Sequence, residues 1–290
     1  MFDLIPPVFR SVMSVIWANC GVFAALVNTL CITILWRQSQ RSISNRILTS
    51  LSISDCLVGY ICFPLGSWLL FSKSNNCFAL RVLLFMNLWM LGISASAILF
   101  IGYDRYIHST KLSNYNLFMT RRKVNAITIC YLVVMFGFAL GSVLNYHVYL
   151  FSGFLLSIIY TILMIVCYIK TWKALSGSQR RLDAMKSSNQ AGNSTTSTED
   201  RIKAKRKKNL AKKVLILMIT YVVTIFPCCI WAIILRINNN GQFNSVEMST
   251  TFVIILFIAL GSSCVNPIIY ISCDCQFRKA MKTKLLFCKK

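Results

Sequence analysis

Seven stretches of this chain, at about 12–36, 46–71, 78–104, 124–145, 148–170, 211–235 and 249–271, are each long and apolar enough to cross a membrane. A bilayer presents about 30 Å of hydrocarbon and a helix rises 1.5 Å per residue, so about 20 mostly apolar residues are needed. A soluble domain could not hide seven such runs. Of the 290 residues 56% are AVILMFWYC and 13% charged, against roughly 45–50% apolar and about 25% charged in ordinary soluble chains. Within hydrocarbon every backbone polar group must be satisfied inside its own segment, which selects helices. The fold class is therefore all-α, an integral membrane bundle of seven transmembrane helices. Its expected parts are an N-terminal segment 1–11, the seven-span body 12–271 and a C-terminal segment 272–290. The first run follows only a short head without a small-residue cleavage site, and so reads as a signal anchor that stays in the membrane.

The 31 Lys and Arg against 8 Asp and Glu give a net charge of +23, which alone would suggest nucleic acid or an anionic membrane surface. Location decides between them. Only Arg10, Lys73, Arg81 and Arg236 fall on one side of the spans, leaving 27 of the 31 bases in the alternating loops and the C-terminal tail. Such an asymmetry puts the N-terminus outside and the C-terminus in the cytoplasm. The charge is topogenic, and nucleic acid is not expected as a partner. The run Arg201, Lys203, Lys205, Arg206, Lys207, Lys208 can also touch anionic membrane lipid, at around 1 kcal/mol per residue near the surface.

The segment 171–210 reads as a disordered third cytoplasmic loop, because its centre at 187–200 has almost no apolar residues to offset ordering entropy. It fits both a flexible linker and a Ser/Thr-rich kinase target. Asn193-Ser194-Thr195 matches a glycosylation pattern but faces the cytoplasm, so it is expected to be unmodified. Of the 13 cysteines only Cys77 lies near the outer surface, and no external disulfide is expected. The two histidines, His108 and His147, fall on opposite sides of the membrane, and no metal-ligand spacing occurs.

Asp55 is an ionisable residue inside a span, a functional candidate by default. Nine residues beyond Arg46, it lies roughly 13 Å deep, and Asn28, Ser94 and Asn266 fall at comparable depth. If these meet, they either lock the helices together or hold a small cation. Tyr103-Asp104-Arg105-Tyr106 places a charged pair at the cytoplasmic edge of the third span, readable as a switch or as an Arg snorkelling to headgroups. In Asn266-Pro267-Ile268-Ile269-Tyr270 the proline bends the last span, and a nearby Asn can satisfy freed carbonyls. Beyond it, Phe277, Met281 and Leu285 recur at helical spacing between bases, as in an interfacial amphipathic helix. Cys288 is a candidate palmitoylation site.

These motifs, in this order, resemble those of rhodopsin-like (class A) G-protein-coupled receptors over nearly the whole chain: Asn28, Leu51-x-x-x-Asp55, Asp104-Arg105-Tyr106, Tyr168, Pro227, Asn266-Pro267-x-x-Tyr270 and the Phe277-Arg278 helix. The resemblance implies a plasma-membrane receptor, not an enzyme. It implies an agonist entering from outside between spans 3, 5, 6 and 7, and an outward swing of span 6 that admits a heterotrimeric G protein. Arg105 would then contact the G protein, flanked by Asp104 and Tyr106. Tyr168 and Tyr270 would support the open cleft, Pro227 and Pro267 would bend their spans, and Asp55, Ser94 and Asn266 would form a sodium-binding pocket. Arrestin and a receptor kinase would engage the third loop.

The chain also departs from the family pattern. The usual cysteine at the outer start of span 3 is Leu80, the span 4 tryptophan is Tyr131, and the span 5 proline is Tyr160. Span 6 reads Thr224-Ile225-Phe226-Pro227, without its toggle tryptophan, and carries Lys207 where an acidic partner for Arg105 is usual. Part of this is similar to the melanocortin, adenosine and cannabinoid branch, and it leads to an expectation of ligand-free signalling. Position 87, five helical turns outward from Arg105, is Asn87 where amine receptors carry an aspartate. A neutral or lipophilic ligand is therefore expected, with Asn87, Leu91, Cys228, Phe252 and Leu256 as wall residues. Two other classes compete: a receptor-like protein that acts by heterodimerising or trafficking without a G protein, and a small-solute transporter. The absence of repeated halves and of further midplane charges disfavours the transporter.

Overall fold

The computed structural model describes residues 2–39, 43–72, 76–110, 115–144, 146–188, 215–231, 233–234, 246–273 and 277–278. Its long helices are α1 (Pro7–Ser39), α2 (Ile43–Phe71), α3 (Cys77–Thr110), α4 (Arg121–Leu144), α5 (Tyr146–Ser188), α6 (Leu215–Trp231) and α7 (Val246–Cys273). Six are long and apolar enough to cross a membrane; the described part of α6 is shorter. The bundle is built inside out relative to a soluble protein. Large apolar side chains such as Val15, Leu26, Val133, Ile162 and Val223 face outward, whereas Asn28, Asp55, Asn87, Ser94, Asp104, Ser263 and Asn266 are buried. α3 packs against α2, α4, α5 and α7 and so forms the axis of the bundle.

Several helices are longer than expected. The predicted head 1–11 contains a 3-10 turn (Phe2–Leu4) against α7 and the first turn of α1, with Ile5 and Arg10 buried. The predicted end of span 3 at 104 falls inside α3, so Asp104, Arg105 and Tyr106 are helical. α5 continues through 171–188, where a disordered loop was expected; Ala, Leu, Arg, Lys and Gln there are good helix formers, and a helix leaving the bilayer needs no apolar stripe. The remainder of that loop, with Asn193, the basic run and Lys207, lies outside the described residues. So do Met281, Leu285 and Cys288, leaving Phe277 and Arg278 as the described part of the expected amphipathic helix.

α2 is not a uniform α-helix. At Val58–Cys62 it makes a π-helical turn, with the Phe63 N–H bonding the Val58 carbonyl five residues back, ahead of Pro64. Such a turn inserts one residue into the ladder and turns the outer half of the helix relative to the inner half. α1 lies very close at this point: a Cβ added to Gly59 would come within 2.5 Å of the Ala25 nitrogen.

Candidate functional site

The polar residues of the bundle fall at three levels, and the middle one centres on Asp55. Its Oδ1 accepts from Ser263 Oγ at 2.9 Å and, more weakly, from Ser94 Oγ at 3.4 Å; its Oδ2 accepts from Asn266 Nδ2 at 2.8 Å. Ser54 lies 3.1 Å from Ser94, hydroxyl to hydroxyl. Asn28 joins without touching the carboxylate. Pro267 has no N–H, so the Ser263 carbonyl four residues back loses its helical donor; the Asn28 amide supplies one at 2.9 Å. The Asn beside the proline was expected to repair this break; Asn28 of α1 does so instead, because Asn266 is committed to Asp55.

Ser263 was missed in the sequence, where it appeared only as one of two adjacent serines. Its spacing of three from Asn266, hence the same helix face, was the available signal. Three donors around one buried carboxylate, two hydroxyls and an amide, are compatible in their chemistry with a small hard cation. Among the described residues there is no cluster of three or more His, Cys, Asp or Glu.

The cytoplasmic level is built on Asp104, only 1% exposed. It accepts from Ser44 Oγ at 2.7 Å and Tyr115 OH at 2.6 Å, and pairs with Arg105 at 3.2 Å. The Arg105 guanidinium also donates to Ser44 Oγ. Tyr115 belongs to a single helical turn, Tyr115–Phe118, between α3 and α4. Burial and the adjacent Asp104 carboxylate push its phenol well above the usual tyrosine range, so it remains a donor at any physiological pH. Tyr106 is half-buried beside this cluster and Tyr168 packs on Trp172, 6.2 Å between ring centroids. The Tyr270 side chain lies outside the description. Tyr131, standing where the family has tryptophan, places its hydroxyl 2.9 Å from Ser50 and so ties α4 to α2.

The outer level is a cavity of about 90 Å³ between α3, α5, α6 and α7, against the roughly 10–15 Å³ that one water requires. All five expected wall residues, Asn87, Leu91, Cys228, Phe252 and Leu256, line it. The sequence did not reveal Tyr160, Tyr221 and Trp231, which also face it. Ile225, in the place of the toggle tryptophan, lies in its wall, Pro227 is inside α6, and the Cys228 thiol reaches the Ile255 carbonyl of α7 at 3.5 Å. Asn87 is 4% exposed and its amide nitrogen has no acceptor. Among the described residues no Asp or Glu lines the cavity. Cys77 is exposed at the outer end of α3.

Comparison with known proteins agrees with this architecture. Residues 141–270 match the sequence profile of the 7 transmembrane receptor (rhodopsin family). This match, over just under half of the chain, supports a rhodopsin-like G-protein-coupled receptor. Trace amine-associated receptor 7e of Mus musculus is 26% identical over 94% of this chain and 82% of its own length. Trace amine-associated receptor 7b of the same species is 27% identical over 92% and 81%. The crystal structure of squid rhodopsin superimposes with a TM-score of 0.82 at 18% identity, covering 98% of this receptor and 87% of the rhodopsin chain, a likeness of fold. The receptor is thus a multi-pass membrane protein and not an enzyme, and coupling to a heterotrimeric G protein is general to its family.

Proposed function

We propose that this receptor, with its N-terminus outside the plasma membrane, answers to an uncharged or lipophilic ligand bound in the outer cavity. The observation that carries the reading is the unpartnered Asn87 amide in a cavity without a carboxylate. A buried donor lacking an acceptor costs about 1–3 kcal/mol, which a ligand bearing a carbonyl or hydroxyl oxygen recovers. An ammonium ligand would meet no counter-charge. The relatives' name, trace amine-associated receptor, favours a second reading, and the Trp231 and Phe252 rings, 5.2 Å apart in the cavity wall, offer cation–π contact to an amine. Screening neutral metabolites and aromatic amines on cells expressing the receptor, alongside Asn87→Asp, separates the two. Responses to neutral compounds that are lost in Asn87→Asp support the first reading. An amine response in the unaltered receptor that Asn87→Leu leaves intact supports the second.

On the cytoplasmic side, α6 swings outward on ligand binding, Arg105 leaves Asp104 and Ser44, and the cleft receives the G protein with Tyr168 and Tyr270 as supports. Asp55, Ser94 and Asn266, joined by Ser263, hold a sodium ion in the resting state. The third loop serves arrestin and a receptor kinase, and Cys288 carries a palmitoyl chain. G-protein recruitment in the unaltered receptor against Arg105→Ala, at matched surface level, tests the coupling. Equal background recruitment in both would favour the non-signalling, heterodimerising or trafficking role instead.

A further inference from the structure

A second hollow, about 470 Å³, opens on the outer face of the bundle between α3, α4 and α5, towards the cytoplasmic end. Its lining is largely apolar, with Phe100, Ile127 and Leu163, and at the end nearest the cytoplasm, its mouth, it carries Tyr103, Tyr106 and Lys170. The apolar spans Cys77–His108 and Gly153–Ala174 end within a few residues of these three, which places them at the edge of the hydrocarbon. No Asp or Glu lines the hollow, and Lys170, exposed, makes no ion pair among the described residues. Arg121, Arg122 and Lys123, all exposed, open α4 one to two turns from Ile127. The mouth is therefore basic and tyrosine-rich above an apolar trough, the arrangement that suits an acidic headgroup at the interface with a chain beneath it.

We propose that this hollow binds an anionic phospholipid of the leaflet that faces the basic loops. Lys170 and the α4 bases take the headgroup, the Tyr103 and Tyr106 rings flank the glycerol, and one acyl chain runs along Leu163 to Tyr160. Tyr160 closes the trough. Its hydroxyl lies 2.6 Å from Ser96 Oγ and 3.8 Å from the Met135 sulfur, so one side chain joins α5 to α3 and α4. Tyr160 also lines the outer cavity and so stands between the two hollows.

The test uses the full-length receptor in phosphatidylcholine nanodiscs doped with a diazirine-tailed phosphatidylserine or a diazirine-tailed phosphatidylcholine. Labelled peptides are mapped by mass spectrometry. The serine lipid should label α3–α5 peptides about fivefold more than the choline lipid, the factor that one favourable basic contact provides. Lys170→Glu should erase that preference while labelling at Tyr60, on the α1–α2 face, stays constant as a check on folding. Leu163→Trp, which fills the trough, should abolish labelling by both probes. Equal labelling by the two lipids, a preference that survives Lys170→Glu, or displacement by soluble inorganic phosphate would overturn the proposal.

Discussion

Gly59→Ala offers a direct test of how the α1–α2 contact supports the polar centre. The added methyl would stand 2.5 Å from the Ala25 nitrogen, and 3.0 Å from both Ala25 Cα and the Gly21 carbonyl oxygen. All three are backbone atoms, so no rotamer change relieves the clash, and α1 must retreat by about 1 Å to restore ordinary contact. Overpacking of this kind costs about 1–3 kcal/mol. Retreat also draws Asn28, one turn from Ala25, away from the Ser263 carbonyl; an interhelical hydrogen bond in a membrane is worth about 0.6 kcal/mol and at most about 1.7. After subtraction of the about 0.5–1 kcal/mol of helix preference that alanine gains, the combined loss is about 1–4 kcal/mol, or roughly 2–16 °C at about 2–4 °C per kcal/mol. Unfolding is readable with a thiol-reactive dye, since Cys56 and Cys62 are buried in α2 itself. Gly137→Ala and Gly261→Ala are the matched controls: each Cβ would meet nothing within 4 Å, and alanine gains about 0.5–1 kcal/mol of helix preference. A Gly59→Ala receptor that melts with its controls would refute the reasoning.

Other outcomes follow from the same geometry. A double-mutant cycle of Ser50→Ala with Tyr131→Phe should return a coupling of about 0.6 kcal/mol in thermal unfolding; a coupling of zero would mean that the tyrosine replaces the family's tryptophan by packing alone. Asp55→Asn should remove any sodium dependence of thermal stability at constant ionic strength, and an unchanged sodium response would place the ion elsewhere. Tyr115→Phe should lower unfolding stability by about 1.5–3 kcal/mol, the value of a hydrogen bond to a charged group, and by the same amount at pH 6 and pH 9, because the phenol does not titrate in that window; a difference between the two would show that it does. With Lys207 in place of an acidic tether, ligand-free G-protein activation should exceed that of mock-transfected cells, and parity at verified surface expression would count against a loosely restrained resting state.

Much of the bundle was readable because a bilayer imposes length. Counting residues from a basic flank gave the depth of Asp55, and depth alone brought Asn28, Ser94 and Asn266 to its level. The same ruler cannot set rotation. In the outer half of α2 the residues are apolar on nearly every face, so no periodicity marks the π-helical turn at Val58–Cys62. The ruler also fails beyond the membrane, where polar residues 171–188 are helical on intrinsic preference without burial to betray it. On α3 the cavity wall was found by counting turns outward from Arg105; Tyr160 escaped because a single hydroxyl within an apolar run carries no period.

The bond from Asn28 to the Ser263 carbonyl closes a loop of 235 residues, and this bears on how the receptor is made. Spans enter the membrane in order, so Asp55, Asn28 and Ser94 wait in lipid until the last helix arrives with Ser263 and Asn266. Until then the carboxylate lacks its two shortest hydrogen bonds, and every chain that stalls or ends before α7 displays it. A cell that inspects its membranes for exposed charge would thus have a built-in mark of incompleteness, erased only when the seventh helix docks.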